Sequence, residues 1–231
     1  MAFEGKVCIV TGGCSGIGKS IATKFLNEGA SVVIADKTAS KTPESDLRKN
    51  SLLFLIEADV TLDSVPQRIV DDTIKKFGRI DILINNAGMG NNPNIRDPEE
   101  IENFDFIFNA SYTPYYSMSK AALHMYTKSL ASRLTCDGIR VNELNPGFIK
   151  TAFYSNFFST KDKPISHDEG LDIVKNSIEP RIPIQRLAEP DEVANVALFL
   201  AGSGASYISG ASIVVDGGVL AIDMWGDTFK K

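Results

Sequence analysis

Two side chains four residues apart, Tyr116 and Lys120, form the pair in this sequence that is best suited to acid–base chemistry. Residues at this spacing lie one turn apart on the same face of a helix. A free tyrosine has a pKa near 10, so a base acting near neutrality needs a fall of about 3 units, or about 4 kcal/mol of preferential phenolate stabilisation. A neighbouring ammonium favours the phenolate. The pair could therefore serve as a phenol that exchanges a proton with a substrate oxygen. By spacing alone, an ordinary amphipathic helix with the tyrosine packed and the lysine in solvent explains it better.

A glycine-rich turn at residues 11–18, Thr-Gly-Gly-Cys-Ser-Gly-Ile-Gly, joins a predicted strand to a predicted helix. Backbone N–H groups at such a helix start can bind a pyrophosphate, although the spacing differs from the general dinucleotide fingerprint and alone is also compatible with a structural turn. Asp36 follows Gly18 by 18 residues, near the offset at which a carboxylate accepts hydrogen bonds from an adenosine ribose. A carboxylate there repels a 2′-phosphate, whereas the ammonium of Lys37 could neutralise one. We expect NAD as the cofactor, with NADP as the alternative.

Short apolar runs and helical patterns alternate along the chain, which is typical of a doubly wound parallel sheet. The helices are predicted over residues 65–77, 98–108, 116–134 and 193–200, in addition to the one after the glycine turn. Strands are predicted at residues 6–10, 31–35, 52–56, 80–84, 139–144 and 211–215. The predicted fold class is α/β, a single-domain Rossmann-like sheet over residues 1–231 with helices on both faces.

The alternation breaks between Asn109 and Tyr116, where two predicted helices follow one another without a strand. A parallel crossover needs on the order of 30 residues, including its strand. One central strand and part of a helix are therefore missing here. Either the protein has residues that these 231 lack, or it is a shortened form. We favour the first explanation, because unpaired backbone groups beside a deleted strand each cost about 1–3 kcal/mol against a total stability of about 5–15 kcal/mol.

Five ordered motifs make the chain similar to the short-chain dehydrogenase/reductase family. They are the turn at residues 11–18, Asp59-Val60, Asn-Asn-Ala-Gly at 85–88, Asn-Pro-Gly-Phe-Ile-Lys-Thr at 145–151 and Val-Asp-Gly-Gly at 215–218. The resemblance runs from Lys6 to Gly218 with the one interruption. It implies an NAD(P)-dependent oxidoreductase that transfers a hydride between the coenzyme and a secondary alcohol or ketone.

The resemblance also implies roles for individual residues. Tyr116 is the acid–base, Lys120 lowers its proton affinity together with the oxidised nicotinamide and holds the nicotinamide ribose, and Asn109 holds a water of the proton relay. No catalytic serine is assigned, because the strand that bears it in the family is the one missing; Ser111 precedes Tyr116 too closely. The helix after Asn109 packs across a dimer interface in the family, so a homodimer or homotetramer is expected. The predicted cofactor-binding residues are Gly12, Ser15, Gly16, Ile17, Gly18, Asp36, Asp59, Val60, Asn86, Gly88, Lys120, Ile149 and Thr151.

Aromatic residues crowd the segment where the family places its substrate loop: Phe153, Tyr154, Phe157 and Phe158. They favour a rather apolar ketone or secondary alcohol, but a helix that packs these rings on the core explains them equally well. His124 and His167 are expected to be packed or solvated rather than catalytic.

Composition restricts the remaining classes of function. A net charge of −5 without a basic block argues against a nucleic-acid partner, and the apolar runs are too short for a membrane span. Three scattered cysteines predict buried fillers in a reducing compartment and no metal site, so a cytoplasmic protein is expected. The competing hypothesis is a non-catalytic NAD(P)-binding scaffold or sensor of the same fold, which the missing serine strand motivates.

Overall fold

The computed structural model describes residues 1–41, 50–88, 114–159 and 164–221, with the side chains of 114–116, 156 and 157 left out. The chain divides into two compact units. The first unit comprises Met1–Gly88 and Glu189–Ser206, and the second comprises Met89–Ala188 and Tyr207–Lys231. The sequence-based prediction of a single domain stays a prediction. Within the described ranges, no helix is both long and apolar enough to cross a membrane.

The first unit is built on a four-stranded parallel sheet in the order β3-β2-β1-β4. The two inner strands are almost continuously apolar because both of their faces are covered. Val7 pairs with Ser31 and Thr11 with Ala35, so β1 and β2 end together at the carboxyl edge of the sheet. The strands are β1 (Val7–Thr11), β2 (Ser31–Asp36), β3 (Leu53–Glu57) and β4 (Ile82–Ile84).

Three helices belong to this unit: α1 (Gly16–Asn27), α2 (Val65–Phe77) and α6 (Pro190–Ala201). On one face of the sheet, Ile9 and Val33 pack in a buried cluster with Ile69 of α2. Helix α1 packs against β1 and β2 and also against α6. Lys24 of α1 forms an ion pair with Asp191 at 3.1 Å, which ties the two helices together.

The second unit contains a parallel pair of strands, β5 (Glu143–Pro146) and β6 (Ser212–Val215). Its helices are α3 (Pro114–Leu134), α4 (Phe153–Phe158) and α5 (His167–Ser177). Helix α5 starts with a capping box in which Ser166 and Glu169 satisfy each other's backbone N–H groups. The core of the unit is a cluster of Tyr154, Val174, Ile182 and Leu187.

The strand predicted at residues 139–144 begins four residues later than expected. The backbone N–H of Ile139 donates to Leu134 O, which closes the turn after α3. Pairing with the neighbouring strand starts only at Glu143, whose N–H donates to Ala211 O. The β-branched run was therefore predicted correctly as a strand region, but its first residues have no strand partner.

The stretch between β4 and β5 contains the predicted interruption, which stays a prediction because residues 89–113 lie outside the described residues. The described part of this stretch, residues 85–88 and 114–142, contains α3 and a short 3-10 turn and no strand. The helix predicted at residues 98–108 lies outside the described residues. Leu83 of β4 has 55% of its surface exposed, whereas Val10 and Val33 of the inner strands are fully buried.

Candidate coenzyme site and catalytic helix

The glycine turn brings two backbone segments closer than any side chain permits. A Cβ atom placed on Gly18 would lie 2.3 Å from the carbonyl oxygen of Gly12 and 2.4 Å from Asn86 Nδ2. Gly12 has a φ of +65°, in the left-handed region that favours glycine. Ser15 precedes the first residue of α1 and makes no side-chain cap to it. The turn therefore leaves the start of α1 open to a ligand.

Asn86, predicted as a coenzyme contact, fixes the glycine turn from the neighbouring strand. Its amide Nδ2 donates to Thr11 O at 3.0 Å and to Gly12 O at 3.1 Å. The backbone N–H groups of Asn86 and Ala87 donate to Thr11 Oγ1 at 3.1 and 3.0 Å. Sequence reasoning missed Thr11, although a hydroxyl side chain at a strand end, just before a glycine turn, is a recognisable signal.

Asp36 ends β2 with its carboxylate beside the same turn. Oδ2 accepts from the backbone N–H of Cys14 at 3.0 Å, and Oδ1 accepts from both the N–H and the hydroxyl of Thr38 at 2.8 Å. These bonds fix the carboxylate next to the glycine turn. The arrangement offers a negatively charged acceptor to a ribose hydroxyl bound beside the start of α1.

The loop after β3 repeats this local pattern of Asp-x-Thr. Asp59 Oδ1 accepts from Thr61 N at 3.0 Å and from Thr61 Oγ1 at 2.7 Å. Lys37 Nζ lies 3.0 Å from Asp59 Oδ2. The hydrogen bonds from Thr61, followed by the Lys37 ammonium, lower the pKa of Asp59 to about 2. Asp59 is therefore ionised throughout the physiological pH range.

The other predicted residues of the first unit lie on or near the turn. Gly16 has a φ of +53° and opens α1, and Ile17 follows it half-buried. Val60 packs against the buried cluster under α2, so its side chain has a structural role. Gly88 is exposed after β4, and the nearest atom to a Cβ placed on it is Asn86 O at 3.8 Å.

The acid–base pair is placed on a helix of the second unit. Helix α3 starts at Pro114, so Tyr116 is in its first turn and Lys120 follows one turn later on an exposed part of the helix. The side chain of Tyr116 lies outside the described atoms, and Asn109 lies outside the described residues. The backbone spacing agrees with the predicted pair, while the direction of the phenol is not part of the described structure.

Ile149 and Thr151, the remaining predicted coenzyme contacts, lie in the loop after β5. The side chain of Ile149 is buried and its backbone N–H donates to the Tyr154 hydroxyl at 3.0 Å. Thr151 Oγ1 lies 3.5 Å from Ile149 O and accepts from Phe153 N at 3.4 Å. Tyr154 therefore has a structural role in the core of the second unit. Packing accounts for most of the aromatic crowding in this segment, since Phe153 and Phe158 also pack on that core.

His124 takes part in a polar network that sequence reasoning did not predict. Its Nδ1 lies 2.5 Å from Glu143 Oε1, which also accepts from Ser212 Oγ at 2.7 Å and from Asn145 Nδ2 at 3.2 Å. Burial raises the pKa of Glu143, but these hydrogen bonds outweigh it and leave the pKa below its ordinary value. The histidine connects α3 to β5 and β6.

The first unit fits a dinucleotide on its own geometry. Glycine is required where the backbone segments meet, the helix start is open, and a fixed carboxylate ends the second strand. A parallel sheet with this turn after its first strand defines the class of Rossmann-like nicotinamide-dependent oxidoreductases. The turn would hold the pyrophosphate and Asp36 the adenosine ribose.

Comparisons with known proteins place the chain within that class. Residues 6–115 match a family model described as short chain dehydrogenase, and residues 106–220 match one described as enoyl-(acyl carrier protein) reductase. A dehydrogenase/reductase SDR family member 4 of Caenorhabditis elegans is 34% identical over 95% of this chain and 96% of its own length. The chain belongs to the short-chain dehydrogenase/reductase family and is, as a member of it, an NAD(P)-dependent oxidoreductase.

Two solved structures are similar over nearly the whole chain. A 3-ketoacyl-(acyl-carrier-protein) reductase from Brucella melitensis complexed with NADH has a TM-score of 0.72 and 28% identity, covering 94% of this chain and 99% of its own. The L-sorbose reductase from Gluconobacter frateurii complexed with NADPH and L-sorbose has a TM-score of 0.78 and 29% identity, covering 96% and 100%. The similar structures thus contain different coenzymes and are named for different substrates.

The alignment with the nematode relative contains positions that have no counterpart in this chain. It spans 260 positions but covers 95% of the 231 residues, or about 219 of them, which leaves about 40 positions without a residue of this chain. In total, about 40 positions are enough for a strand and part of a helix. The two family models meet over residues 106–115, at the predicted break.

Proposed function

We propose that the protein is an NAD-linked oxidoreductase acting on a secondary alcohol or the corresponding ketone. The observation that carries this proposal is the placement of Tyr116 and Lys120 one turn apart at the start of α3, in a chain of the short-chain dehydrogenase/reductase family. Bound NAD supplies the hydride acceptor, and NADH the hydride donor. The proton exchanged with the substrate oxygen is assigned to a side chain of the protein.

In the oxidation direction, the Tyr116 phenolate accepts the hydroxyl proton of the alcohol, and in reduction the phenol returns it to the carbonyl oxygen. The Lys120 ammonium stabilises the phenolate and binds the nicotinamide ribose. Asn109 holds a water that passes the proton on to solvent. Ile149 and Thr151 complete the nicotinamide side of the site.

NAD is proposed over NADP because of the charge at the end of β2. The Asp36 carboxylate is held in place by Cys14 N–H and Thr38, so a 2′-phosphate would approach a fixed negative charge. An apolar substrate is proposed from the half-buried faces of Phe153 and Phe158, since the Tyr154 ring belongs to the core. We further propose a cytoplasmic homodimer or homotetramer.

Replacement of Tyr116 tests the proposal. Tyr116→Phe removes the proton donor and keeps the ring, so turnover should fall by roughly a thousandfold. The Kd for NAD should stay within about twofold, a free-energy change of about 0.4 kcal/mol. The assay follows NAD reduction with cyclohexanol, 2-octanol and sorbitol as probes, which also separates apolar from polyol substrates.

Tyr115→Phe is the matched control, because Tyr115 is the adjacent phenol and has Ser119 rather than a lysine four positions on. It should retain nearly full turnover. If Tyr116→Phe kept more than about a tenth of the wild-type rate, a barrier difference below about 1.4 kcal/mol, another group would be the acid–base.

A second function, nucleotide binding without turnover, is favoured by the strand that the sequence predicts to be missing between Asn109 and Tyr116. The mass of the protein isolated from its source separates the two. A mass several kDa above 25.1 kDa would mean that the protein has the missing strand, which supports the enzyme. A mass of 25.1 kDa, with tight NAD binding and no turnover of any probe, would support the binding protein.

A further inference from the structure

Lys37, directly after β2, is a feature that argues for NADP, and its ammonium is already paired. Its Nζ lies 3.0 Å from Asp59 Oδ2, at the start of the loop after β3. The neighbouring Asp36 carboxylate is bonded instead to Cys14 and Thr38. The ammonium therefore points to the adjacent loop, although the two charges Asp36 and Lys37 are consecutive in sequence.

The register of the sheet explains this choice. Asp36 pairs with Glu57 in the ladder between β2 and β3, so the residues just past the two strand ends are neighbours. Ala58 N–H donates to Asp36 O at 3.0 Å, which holds the start of the second loop against the end of β2. Asp59 is the next residue along that loop.

Asp59 is held in the orientation that this pairing needs. Both hydrogen bonds from Thr61 go to Oδ1, which leaves Oδ2 facing Lys37. A carboxylate fixed by two bonds loses less conformational entropy when it forms an ion pair than a free side chain does. Lys37 is half-exposed, so the pair is also accessible to a ligand at the strand ends.

We propose that Asp59 is a residue that determines coenzyme specificity by engaging Lys37. With Lys37 neutralised by Asp59, the repulsion between Asp36 and a 2′-phosphate is not offset. The role is indirect, so Asp59 acts here as a positioning residue in addition to any contact with adenine. The inference rests on the proposed NAD preference and concerns the same adenosine site.

The replacement Asp59→Asn is designed to release Lys37 and to disturb little else. The amide oxygen of asparagine can still accept both bonds from Thr61, while the group that faces Lys37 loses its charge. Binding is measured by calorimetry for 5′-AMP and for adenosine 2′,5′-bisphosphate, which differ only in the 2′-phosphate. Any loss of an adenine contact affects both ligands and cancels in the ratio of their Kd values.

We expect Asp59→Asn to shift this ratio toward the bisphosphate by roughly two- to fivefold, the contribution of one exposed ion pair. Lys37→Gln alone should give no shift in that direction. The double variant Asp59→Asn/Lys37→Gln should lose the gain, because the ammonium that binds the phosphate is gone. Raising the salt from 0.05 to 0.5 M should reduce the shift, as expected for an exposed charge.

Asp63→Asn is the matched control, since Asp63 is an exposed carboxylate of the same loop and its removal changes the net charge equally. It should leave the ratio within the error of the wild type. An equal gain in Asp63→Asn, or in the double variant, would overturn the inference, because general charge would then explain the effect.

The outcomes also separate this inference from the proposed function. If the wild-type chain binds 5′-AMP but Asp59→Asn leaves the ratio unchanged, the role of Asp59 is wrong while the coenzyme site stands. If the wild-type chain binds neither ligand nor NAD, the coenzyme site is wrong and the inference falls with it. If wild type prefers the bisphosphate, the NAD preference is wrong, and a remaining gain in Asp59→Asn that disappears in the double variant still supports the engagement of Lys37.

Discussion

The two units of this chain differ in how their predicted site residues are held. In the first unit, the side chains of Asp36 and Asp59 each accept at least two hydrogen bonds, and that of Asn86 donates two to the glycine turn. In the second unit, the proposed acid–base is in the first turn of α3, directly after the interruption in the family pattern. A coenzyme site made of strand ends can form from local segments, whereas the catalytic part lies beside the segment in which the sequence predicts a missing strand.

This difference predicts that the interruption between Asn109 and Tyr116 leaves coenzyme binding intact. It also predicts that the interruption lowers the rate of the chemical step. Backbone hydrogen bonds and close glycine contacts within residues 1–88 position the predicted coenzyme-binding residues of the first unit. None of them requires the segment between Asn109 and Tyr116. The variants below test whether each unit is stabilised by the contacts that the structure assigns to it.

The largest effect is expected at the closest backbone contact of the first unit, through Gly18→Ala. The added Cβ would lie 2.3 Å from Gly12 O, so the glycine turn must move. Overpacking of this kind costs about 1–3 kcal/mol. If this cost applies to the conformation of the turn that binds NAD, the Kd for NAD rises by about five- to 150-fold. Calorimetry with NAD measures the change.

Gly204→Ala is the control for the same substitution in the same unit. Its Cβ would meet only the Phe199 ring, at 3.5 Å, which is ordinary contact. NAD affinity should not change in this variant. Unaltered affinity in Gly18→Ala would mean that the turn is not the pyrophosphate site, and the contrast between the two units would lose its basis.

Sequence reasoning succeeded where local chemistry decides the structure. Helix α2 was predicted with the bounds that are observed, Val65–Phe77, because its apolar spacing and the glycine that ends it are local signals. The order of β1, the glycine turn, α1 and β2 was predicted for the same reason. Asp36 was placed correctly at the end of its strand.

It failed where a partner distant in sequence decides. The engagement of Lys37 by Asp59 depends on the register between β2 and β3, which no local pattern reveals. The delayed start of β5 depends on where β6 begins. Of the two explanations that the sequence left open for the aromatic segment, packing on the core is the one that holds for Tyr154. The repeated Asp-x-Thr pattern after β2 and β3 was available in the sequence and would have identified both loops as fixed carboxylate turns.

A second effect, on stability rather than on coenzyme affinity, is expected in the core of the second unit, through Tyr154→Phe. The ring stays, but the buried N–H of Ile149 loses its acceptor, which costs about 1–3 kcal/mol. The free energy of unfolding from urea titration measures the loss. Tyr207→Phe is the control, because Tyr207 is fully exposed in the same unit and its replacement should change nothing. Equal stability of the two variants would show that this core does not hold the second unit.

The smallest effect is expected on the free energy of unfolding, through Asp81, which directly precedes strand β4. This effect depends on pH. Its carboxylate accepts from Lys6 Nζ at 3.1 Å, from Val7 N at 3.0 Å and from Arg79 at 2.6 and 2.8 Å. Burial raises the pKa of Asp81, but these hydrogen bonds and charges outweigh it and bring the pKa down to about 2. The folded state thus binds this proton more weakly than the unfolded chain does.

The sign of the pH dependence follows from that difference. An aspartate has a pKa near 4 when unfolded, so its contribution is fully present above about pH 4 and is lost as the pH falls toward 2. Asp81→Asn should lower the free energy of unfolding at pH 7 by about 1–2 kcal/mol and should flatten its decline between pH 4 and pH 2. Urea titrations at several pH values measure both effects.

Asp72→Asn provides the comparison, because Asp72 forms only an exposed pair with Arg68 at 3.8 Å on α2. Pairs of that kind contribute little, so its stability and pH profile should match the wild type. If Asp81→Asn also matched the wild type at every pH, the anchoring of the β4 start would contribute nothing. The inner strands and the glycine turn would then carry the stability of the first unit, and its coenzyme residues would be positioned independently of how β4 starts.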